Sequence, residues 1–395
     1  MPRDLAPLKV EHALEELKDF GYEEEGWEGV REPGREALKR ILEERMLSQR
    51  QAYLQEILSR GGVDRANGFY TRQLLTSLGA IELQIPRTRS FSVRGVLQKY
   101  ARREQQVDRM ILACFVLGLS TRKVGEALLP ILGERVSAST VSRIAKTLDR
   151  AVEAFHRRRL RGPYRALVLD GVVLENRTGA GAQKRYVLTA LGITPNERKE
   201  ILDFRLARGE SEVAWTAFLN DLYERGLDGE SLEIVSIDGG AGLAAALEMV
   251  YPRVRVQRCW AHKVRNVLDK MKKKDRERAK KGLQRIYNAQ NRRAGRSAAR
   301  RFANRWEASA PRAVQCLRRD LDELLAFFHF KEEKWRRITR TTNAIERRFR
   351  EVKRRTRPMG VFVDRTSMER ILYAVFNYEN SKQGSGTLFS LTQYS

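Results

Sequence analysis

Two short apolar runs stop on the same pair of residues, and they constrain the fold more than any other feature. Ala166-Leu167-Val168-Leu169 runs into Asp170-Gly171, and Ile234-Val235-Ser236-Ile237 runs into Asp238-Gly239-Gly240. Runs of this length, apolar on both alternating faces, suit strands buried on both sides of a sheet. Each ends with a carboxylate and then a glycine, which lets another group approach the backbone closely. In open α/β sheets, sites lie beyond strand ends, where the rigid core aims a side chain outward. Asp-Gly is also a common turn signal, so each pair by itself also reads as a plain turn. Two such aspartates on neighbouring strands could share divalent cations. Mg²⁺ prefers carboxylate oxygen and fills its shell with water and phosphate.

The surrounding pattern supplies the rest of a sheet. A boundary is expected at Gly162-Pro163. Strand-like runs follow at 166–169, 185–193 and 200–206, then a helix over 211–225 with Trp215, Phe218, Leu219 and Leu222 on one face. A strand over 232–237, a helix over 242–250 and a strand over 254–256 complete the series. That order predicts an α/β sheet with an antiparallel first half.

Charge narrows the partner. The 395 residues hold 76 Lys and Arg against 50 Asp and Glu, a formal net charge of +26. A small soluble domain is suited by a net charge of about 2–8 in magnitude. An excess this large favours a polyanion, most simply nucleic acid. Residues 1–60 oppose it with 10 basic and 14 acidic side chains, whereas 263–312 carry 18 basic against 4 acidic and 331–357 carry 12 against 4. Residues 263–312 show helical periodicity and no strand signal, so a helical block interrupts the α/β region. Arg265, Arg347, Arg354 and Arg355 are candidate phosphate contacts in these stretches. Trp306 is either a core side chain or a platform for an unpaired base.

Other classes drop out. The longest apolar run, Met110 to Leu119, has ten residues, where a bilayer needs about 20. The opening MPRDLAPLKVEHALEELKDF has no apolar h-region, which speaks against a signal peptide. Three cysteines, Cys114, Cys259 and Cys316, suit a reducing cytosol better than a disulfide scaffold. No G-x-x-x-x-G-K-[ST] loop is present, so a P-loop ATPase is not expected.

Upstream of the sheet the chain reads as mostly helical. In the acidic opening, Leu14, Leu17 and Phe20, then Leu38, Ile41 and Leu42, keep helical spacing, and Gly21, Gly26, Gly29 and Pro33-Gly34 divide it into two short helices. Tyr70–Leu75 and Ile81–Ile85 form a hairpin turning at Gly79. Three helices follow: Val107 to Leu119; one capped by Ser120 or Thr121 and ended by Gly133; and one capped by Ser137 or Ser139 that runs towards His156. The last two fit a helix-turn-helix, with Ser139, Thr140, Ser142 and Arg143 facing a DNA groove, or equally a plain helical bundle with serine caps.

Two further motifs stand between alternatives. In TRTTNAIERRFREVKRRTR, Ile345, Phe349 and Val352 form a buried stripe and Glu346 sits on its margin. Glu346 could lean over the sheet edge, or close a capping box as the N3 partner of Asn343. Cys259 and His262 have metal-ligand spacing, yet a single pair is half a zinc site, with Cys316 and His329 the only other downstream candidates. His262 near a phosphate could instead stabilise developing negative charge.

These pieces, in order, resemble the Mutator-type bacterial insertion-sequence transposases, a branch of the DDE transposases. They are GLSTRKVGEAL (118–128), LDG (169–171), W-x-x-F-L-x-x-L-x-x-R-G-L (215–227), SIDGGAGLAAA (236–246), QRCWAHKVRN (257–266) and RTTNAIERRFREVKRRTR (340–357). The resemblance implies a catalytic triad of Asp170, Asp238 and Glu346 holding Mg²⁺ or Mn²⁺, two ions, with His262 of the C-x-x-H signature close by. It implies an α/β fold of RNase H-like type interrupted by an all-helical insertion and preceded by a mostly helical DNA-binding region. The segments are then 1–65 accessory, 66–160 DNA-binding, 161–262 and 341–395 catalytic, and 263–340 inserted. The implied activity is cleavage and transfer of DNA strands at terminal inverted repeats. The implied partner is double-stranded DNA, bound by a homodimer or larger assembly in the bacterial cytoplasm at the nucleoid. An inactive DNA-binding regulator and an RNase H-like nuclease or resolvase are the alternatives. GVVLENRTGAGAQKR, after Asp170, departs from the family's form.

Overall fold

The computed structural model describes residues 24–90, 102–178, 181–359, 362 and 365–382. The chain divides into two compact units, Met1–Phe115 with Leu119–Ala145, and Val116–Gly118 with Lys146–Ser395.

In the first unit, helix α1 (Glu24–Ser59) lies against a hairpin of β1 (Phe69–Thr76) and β2 (Gly79–Pro86). Leu38, Leu42 and Met46, four residues apart on one stripe, pack on Leu74, Ile81, Leu83 and Ile85. The strict alternation of β2 puts Ile81, Leu83 and Ile85 inside. The expected division of the acidic opening does not occur within the described residues, because α1 runs unbroken through Pro33. Proline removes one ladder bond and crowds the preceding turn. The stripe downstream docks the helix, and helical turns propagate cooperatively from a docked segment. Leu14, Leu17 and Phe20 lie outside the described residues.

Helices α2 (Gln105–Val116), α3 (Thr121–Leu132) and α4 (Ala138–Ala145) follow. Ser120 caps α3 by accepting the Lys123 N–H at 3.3 Å, and Gly133 ends it in the left-handed conformation, φ 67°. Ser137 caps α4 by accepting the Thr140 N–H at 3.2 Å. Gly125 lets the turn close, since a methyl there would stand 2.2 Å from the Val136 carbonyl oxygen. The third helix expected to reach His156 is instead two: α4 ends at Ala145 and α5 spans Leu148–Arg157. The apolar stripe continues through Val141, Ile144, Leu148, Ala151, Val152 and Phe155, so periodicity alone joins them. The halves belong to different units.

The second unit is built on five strands in the order β5-β4-β3-β6-β7: β3 (Ala166–Thr178), β4 (Gly181–Ile193), β5 (Lys199–Ala207), β6 (Ile234–Ile237) and β7 (Arg255–Arg258). Strands β3, β4 and β5 pair antiparallel, and β3, β6 and β7 parallel. Helices α6 (Glu212–Glu224) and α7 (Ala241–Val250) cover one face, burying Trp215, Phe218, Leu222, Leu243 and Leu247 on Leu167, Leu169, Leu188, Val235 and Ile237. Next come α8 (Trp260–Asp269), α9 (Arg276–Tyr287), α10 (Arg292–Trp306), α11 (Pro311–Arg319) and α12 (Glu333–Thr339), all helical as the periodicity required. Gln257 ties this block to β7, accepting the Phe327 N–H at 2.7 Å and donating to the Leu324 carbonyl at 3.2 Å. Helices α13 (Asn343–Met359) and α14 (Arg365–Ser381) close the unit. Phe349 and Phe204 each meet Phe376, with ring centroids 5.5 Å apart. Among the described residues no helix is long and apolar enough to cross a membrane.

Gly125→Ala is expected to destabilise the first unit by about 1–3 kcal/mol, the usual cost of forcing an atom into a packed contact. Chemical denaturation followed by circular dichroism measures it.

Candidate active site and nucleic-acid interface

The parallel ladder between β3 and β6 covers Ala166–Leu169 and Ile234–Ile237 and then stops. Asp238 therefore stands just past the end of β6. Asp170 does not end its strand, as the sequence suggests; β3 continues to Thr178 against β4. It is the first residue beyond the parallel pairing, so its side chain stands where the neighbouring strand has left.

Asp170 is only 5% exposed. Among the described residues no hydrogen bond or ion pair reaches its carboxylate. Burial first, and then the nearby charge of Asp238, push its pKa up to about 8, with His262 pulling the other way. The loop after Asp238 is held from β7. The Arg258 guanidinium donates to the Gly239 carbonyl at 2.8 Å and pairs with Glu323 at 2.5 Å. Gly239 has φ 110°, and a methyl on it would strike that guanidinium.

Cys259 opens α8, and three residues on His262 faces Glu346, with Nε2 3.6 Å from Oε1. Burial raises the Cys259 thiol, but hydrogen bonds from His262 and Thr342 outweigh it and lower its pKa. The Cys259 sulfur and the charges of Asp170 and Asp238 raise His262 to about 9, against a smaller effect of burial. Its Nδ1 is buried without a well-formed hydrogen bond, although the sulfur lies close enough to act on the ring. Backbone bonds lock the arrangement. Cys259 N–H donates to Ile237 O at 2.7 Å, Trp260 N–H to Arg340 O at 2.9 Å, and Thr342 N–H to the Cys259 sulfur at 3.3 Å.

Glu346 does not close a capping box. Helix α13 starts at Asn343, and the Glu346 N–H reaches back to the Thr342 carbonyl at 3.4 Å, so Thr342 precedes the helix and Glu346 is its fourth residue. Ile345, Phe349 and Val352 are buried as the spacing requires. Glu346 is left on the margin, beside His262. The other zinc candidates are elsewhere: the Cys316 carbonyl accepts from Lys263 Nζ, and His329 Nε2 lies 3.0 Å from Glu233. As placed, no group of three His, Cys, Asp or Glu side chains among the described residues forms a ready-made metal cage. The carboxylates of Asp170 and Asp238 are nevertheless close enough to repel each other. This suits a hard cation that takes one or two carboxylates and completes its shell from substrate and water.

Sequence reasoning missed Glu210. It lies so close over Gly171 that a methyl there would overlap its carboxylate, and burial together with the Asp238 charge raises its pKa. The only signal was the glycine after Asp170.

A family profile described as "Transposase, Mutator family" matches residues 9–384. The chain belongs to this transposase family. It is 32% identical over 318 residues to the transposase for insertion sequence element IS905 of Lactococcus lactis, covering 80% of each chain. It is 31% identical over 364 residues to that for ISRM5 of Rhizobium meliloti, covering 89% of this chain and 88% of the relative. The transposase for IS256 in transposon Tn4001 of Staphylococcus aureus is 31% identical over 312 residues, 78% and 79% of the two chains.

Of the candidate DNA contacts in this family member, Ser139, Ser142 and Arg143 are exposed on α4 and Thr140 is half-buried, while Val141 and Ile144 face inward. Arg265 on α8 and Arg347 and Arg354 on α13 are exposed. Two candidates are corrected. Trp306 is buried in the helical block beside Phe302, ring centroids 6.4 Å apart, so it offers no free face to a base. Arg355 is buried, donating to Glu351 at 2.7 Å with its guanidinium over the Tyr378 ring, because it lies on the inward side of α13.

The raised pKa of Asp170 makes a pH prediction with a definite sign. Between about pH 4 and 8 the native carboxyl holds a proton that the unfolded one has lost, so stability falls as pH rises. In metal-free protein, Asp170→Asn is expected to raise the melting temperature at pH 8 and to leave it unchanged at pH 4. Scanning calorimetry at the two pH values measures both.

Proposed function

We propose that this transposase cleaves and transfers DNA strands at the ends of an insertion sequence, using Asp170, Asp238 and Glu346 as its carboxylate triad. One observation carries the reading: a buried Asp170 carboxyl with no polar partner, held beside Asp238 at the point where β6 stops. Such a group is costly unless its function is to meet a cation. Three antiparallel strands followed by two parallel ones, with Glu346 on a later helix, support an RNase H-like catalytic core with residues 263–340 as an insertion.

Two Mg²⁺ or Mn²⁺ ions at the carboxylates would activate a water or a DNA 3′-OH for in-line attack and stabilise the leaving oxygen. The chain's own residues set the geometry. The Arg258 grip on Gly239 fixes where Asp238 points. Glu346, fixed by the start of α13, faces the same space as His262. The His262 imidazolium holds its proton through neutral pH and places positive charge beside phosphate oxygens that gain negative charge during attack. Exposed Arg265, Arg347 and Arg354 contact backbone phosphates, the sequence-independent part of binding. Helices α3 and α4 read the terminal repeat through Ser139, Thr140, Ser142 and Arg143. Two ends must be joined, so the active form is a homodimer or larger.

Asp170→Ala, Asp238→Ala and Glu346→Ala are each expected to lower Mg²⁺-dependent cleavage of terminal-repeat DNA about 100- to 1,000-fold, as loss of a charge-stabilising group does. Gel-shift binding of the same DNA should be retained. Cleavage by Asp170→Ala at the native rate overturns the reading. His262→Ala should slow strand transfer by about 10–100-fold, the scale of a group acting beside the ligands, with the circular dichroism spectrum unchanged.

A further inference from the structure

The segment after Asp170 is where the sheet does something the triad does not require. Strands β3 and β4 pair along all thirteen positions, from Ala166↔Ile193 to Thr178↔Gly181. Their neighbours cover only the inner part: β6 stops opposite Leu169, and β5 meets β4 no farther out than Tyr186. Beyond these points β3 and β4 continue as a two-stranded ribbon. The ladder is two-stranded from Leu174↔Arg185 outward, and the eight residues from Asp170 to Thr178 put its tip about 26 Å from the site at ~3.3 Å per residue.

The composition of the ribbon suits an anion. Arg177, Lys184 and Arg185 stand against Glu175. One face remains open, with Val173 39% exposed and Glu175 and Lys184 exposed as direct cross-strand partners. Lys184 has no acidic partner among the described residues, although Glu175 lies opposite it. The other face is tied down: Leu174 is buried, and the Arg185 guanidinium donates to Gln183 at 3.0 Å. From Asp170 outward the β3 edge has no strand beside it among the described residues.

We propose that this β3–β4 ribbon is a DNA-groove finger, lying in the major groove of the duplex next to the phosphate held at Asp170 and Asp238. The proposal rests on the DNA-cleavage reading of that site and adds the element that grips the helix beside it. A two-stranded ribbon fits the major groove, about 12 Å wide. Its reach sets a limit, because about 26 Å corresponds to about eight base pairs of B-DNA. Contacts from the ribbon therefore fall within that distance of the cleaved phosphate and nowhere else. The open edge could otherwise pair with a second copy of the chain, and the experiment separates the two.

The test uses the full chain without divalent cation, so it does not depend on cleavage. Lys184→Cys is mixed with terminal-repeat duplexes that carry one thiol-tethered cytosine in the major groove, moved base by base across the cleavage point. Disulfide cross-links are expected at one or two positions within about eight base pairs of that point, and not with the native cysteines alone. A second variant replaces residues 176–183 with Asn-Gly, a two-residue turn that can join the opposed Glu175 and Lys184. It should keep the wild-type melting temperature and lose at least ten-fold in cleavage. Lys184→Ala should reduce the salt dependence of binding by about one phosphate contact. The proposal is overturned by cross-links absent from this window, by cross-links only to a minor-groove tether, or by a shortened ribbon that cleaves normally or turns a dimer into a monomer. If instead the cross-links form but wild-type protein cleaves no DNA with Mg²⁺, the cleavage reading fails and the groove contact stands.

Discussion

Acidic groups gathered at the point where two parallel strands part organise the second unit. Asp170, Asp238 and Glu346 come from three separate elements, and Asp170 is buried deeply enough to keep its proton past neutrality. Left to themselves these groups would move apart or draw in water. Each is held in place by backbone geometry. Asp170 sits inside a thirteen-pair ladder, Asp238 follows a strand whose loop Arg258 clamps, and Glu346 rides on a helix whose start is bonded to Cys259. A positive charge placed here is favoured, because it lets Asp170 ionise. His262 supplies a first instalment as an imidazolium between the acids and the thiol.

That restraint explains which contacts are buried around the site. Ser236 donates to the Thr339 carbonyl at 2.5 Å, Trp260 Nε1 donates to the Leu324 carbonyl at 2.7 Å, and Lys263 pairs with Asp320 under cover. The first joins β6 to the helical block between Asp238 and Glu346, and the other two fasten α8 to the rest of that block. A buried ion pair adds little net stability but is costly to break on one side. The block is thus fastened by bonds that tolerate few substitutes, and its mass of arginines is carried by a rigid support.

Much of this was readable in the chain because the signals were periodic. The strict alternation of Ile81, Leu83 and Ile85, the stripe of Ile345, Phe349 and Val352, and the apolar runs before Asp170 and Asp238 each follow from burying one face. What escaped depended on partners distant in sequence. Nothing local in Leu169-Asp170-Gly171 says that β3 continues for eight more residues; that follows from β4 remaining alongside after β6 has stopped. A seamless stripe from Val141 to Phe155 cannot show that its halves fill different cores. Trp306 and Arg355 sit among exposed arginines in the sequence, and only helix packing shows that they point inward. Glu346 reads as a cap because Asn343 precedes it by three, yet Thr342 takes the capping position, turning its hydroxyl to the Cys259 sulfur at 3.5 Å.

The long β3–β4 ladder has one more consequence, and it concerns error rather than reach. Side chains alternate across a sheet, so a slip of one residue would send the Asp170 carboxyl to the opposite face, among the side chains of α6 and α7. Four parallel pairs with β6 are a weak guard against that. Thirteen antiparallel pairs make the wrong alignment forfeit many bonds at once, and the hairpin end at Thr178↔Gly181 fixes the count. The outermost residues of the ribbon therefore act as a vernier for a carboxylate about 26 Å away.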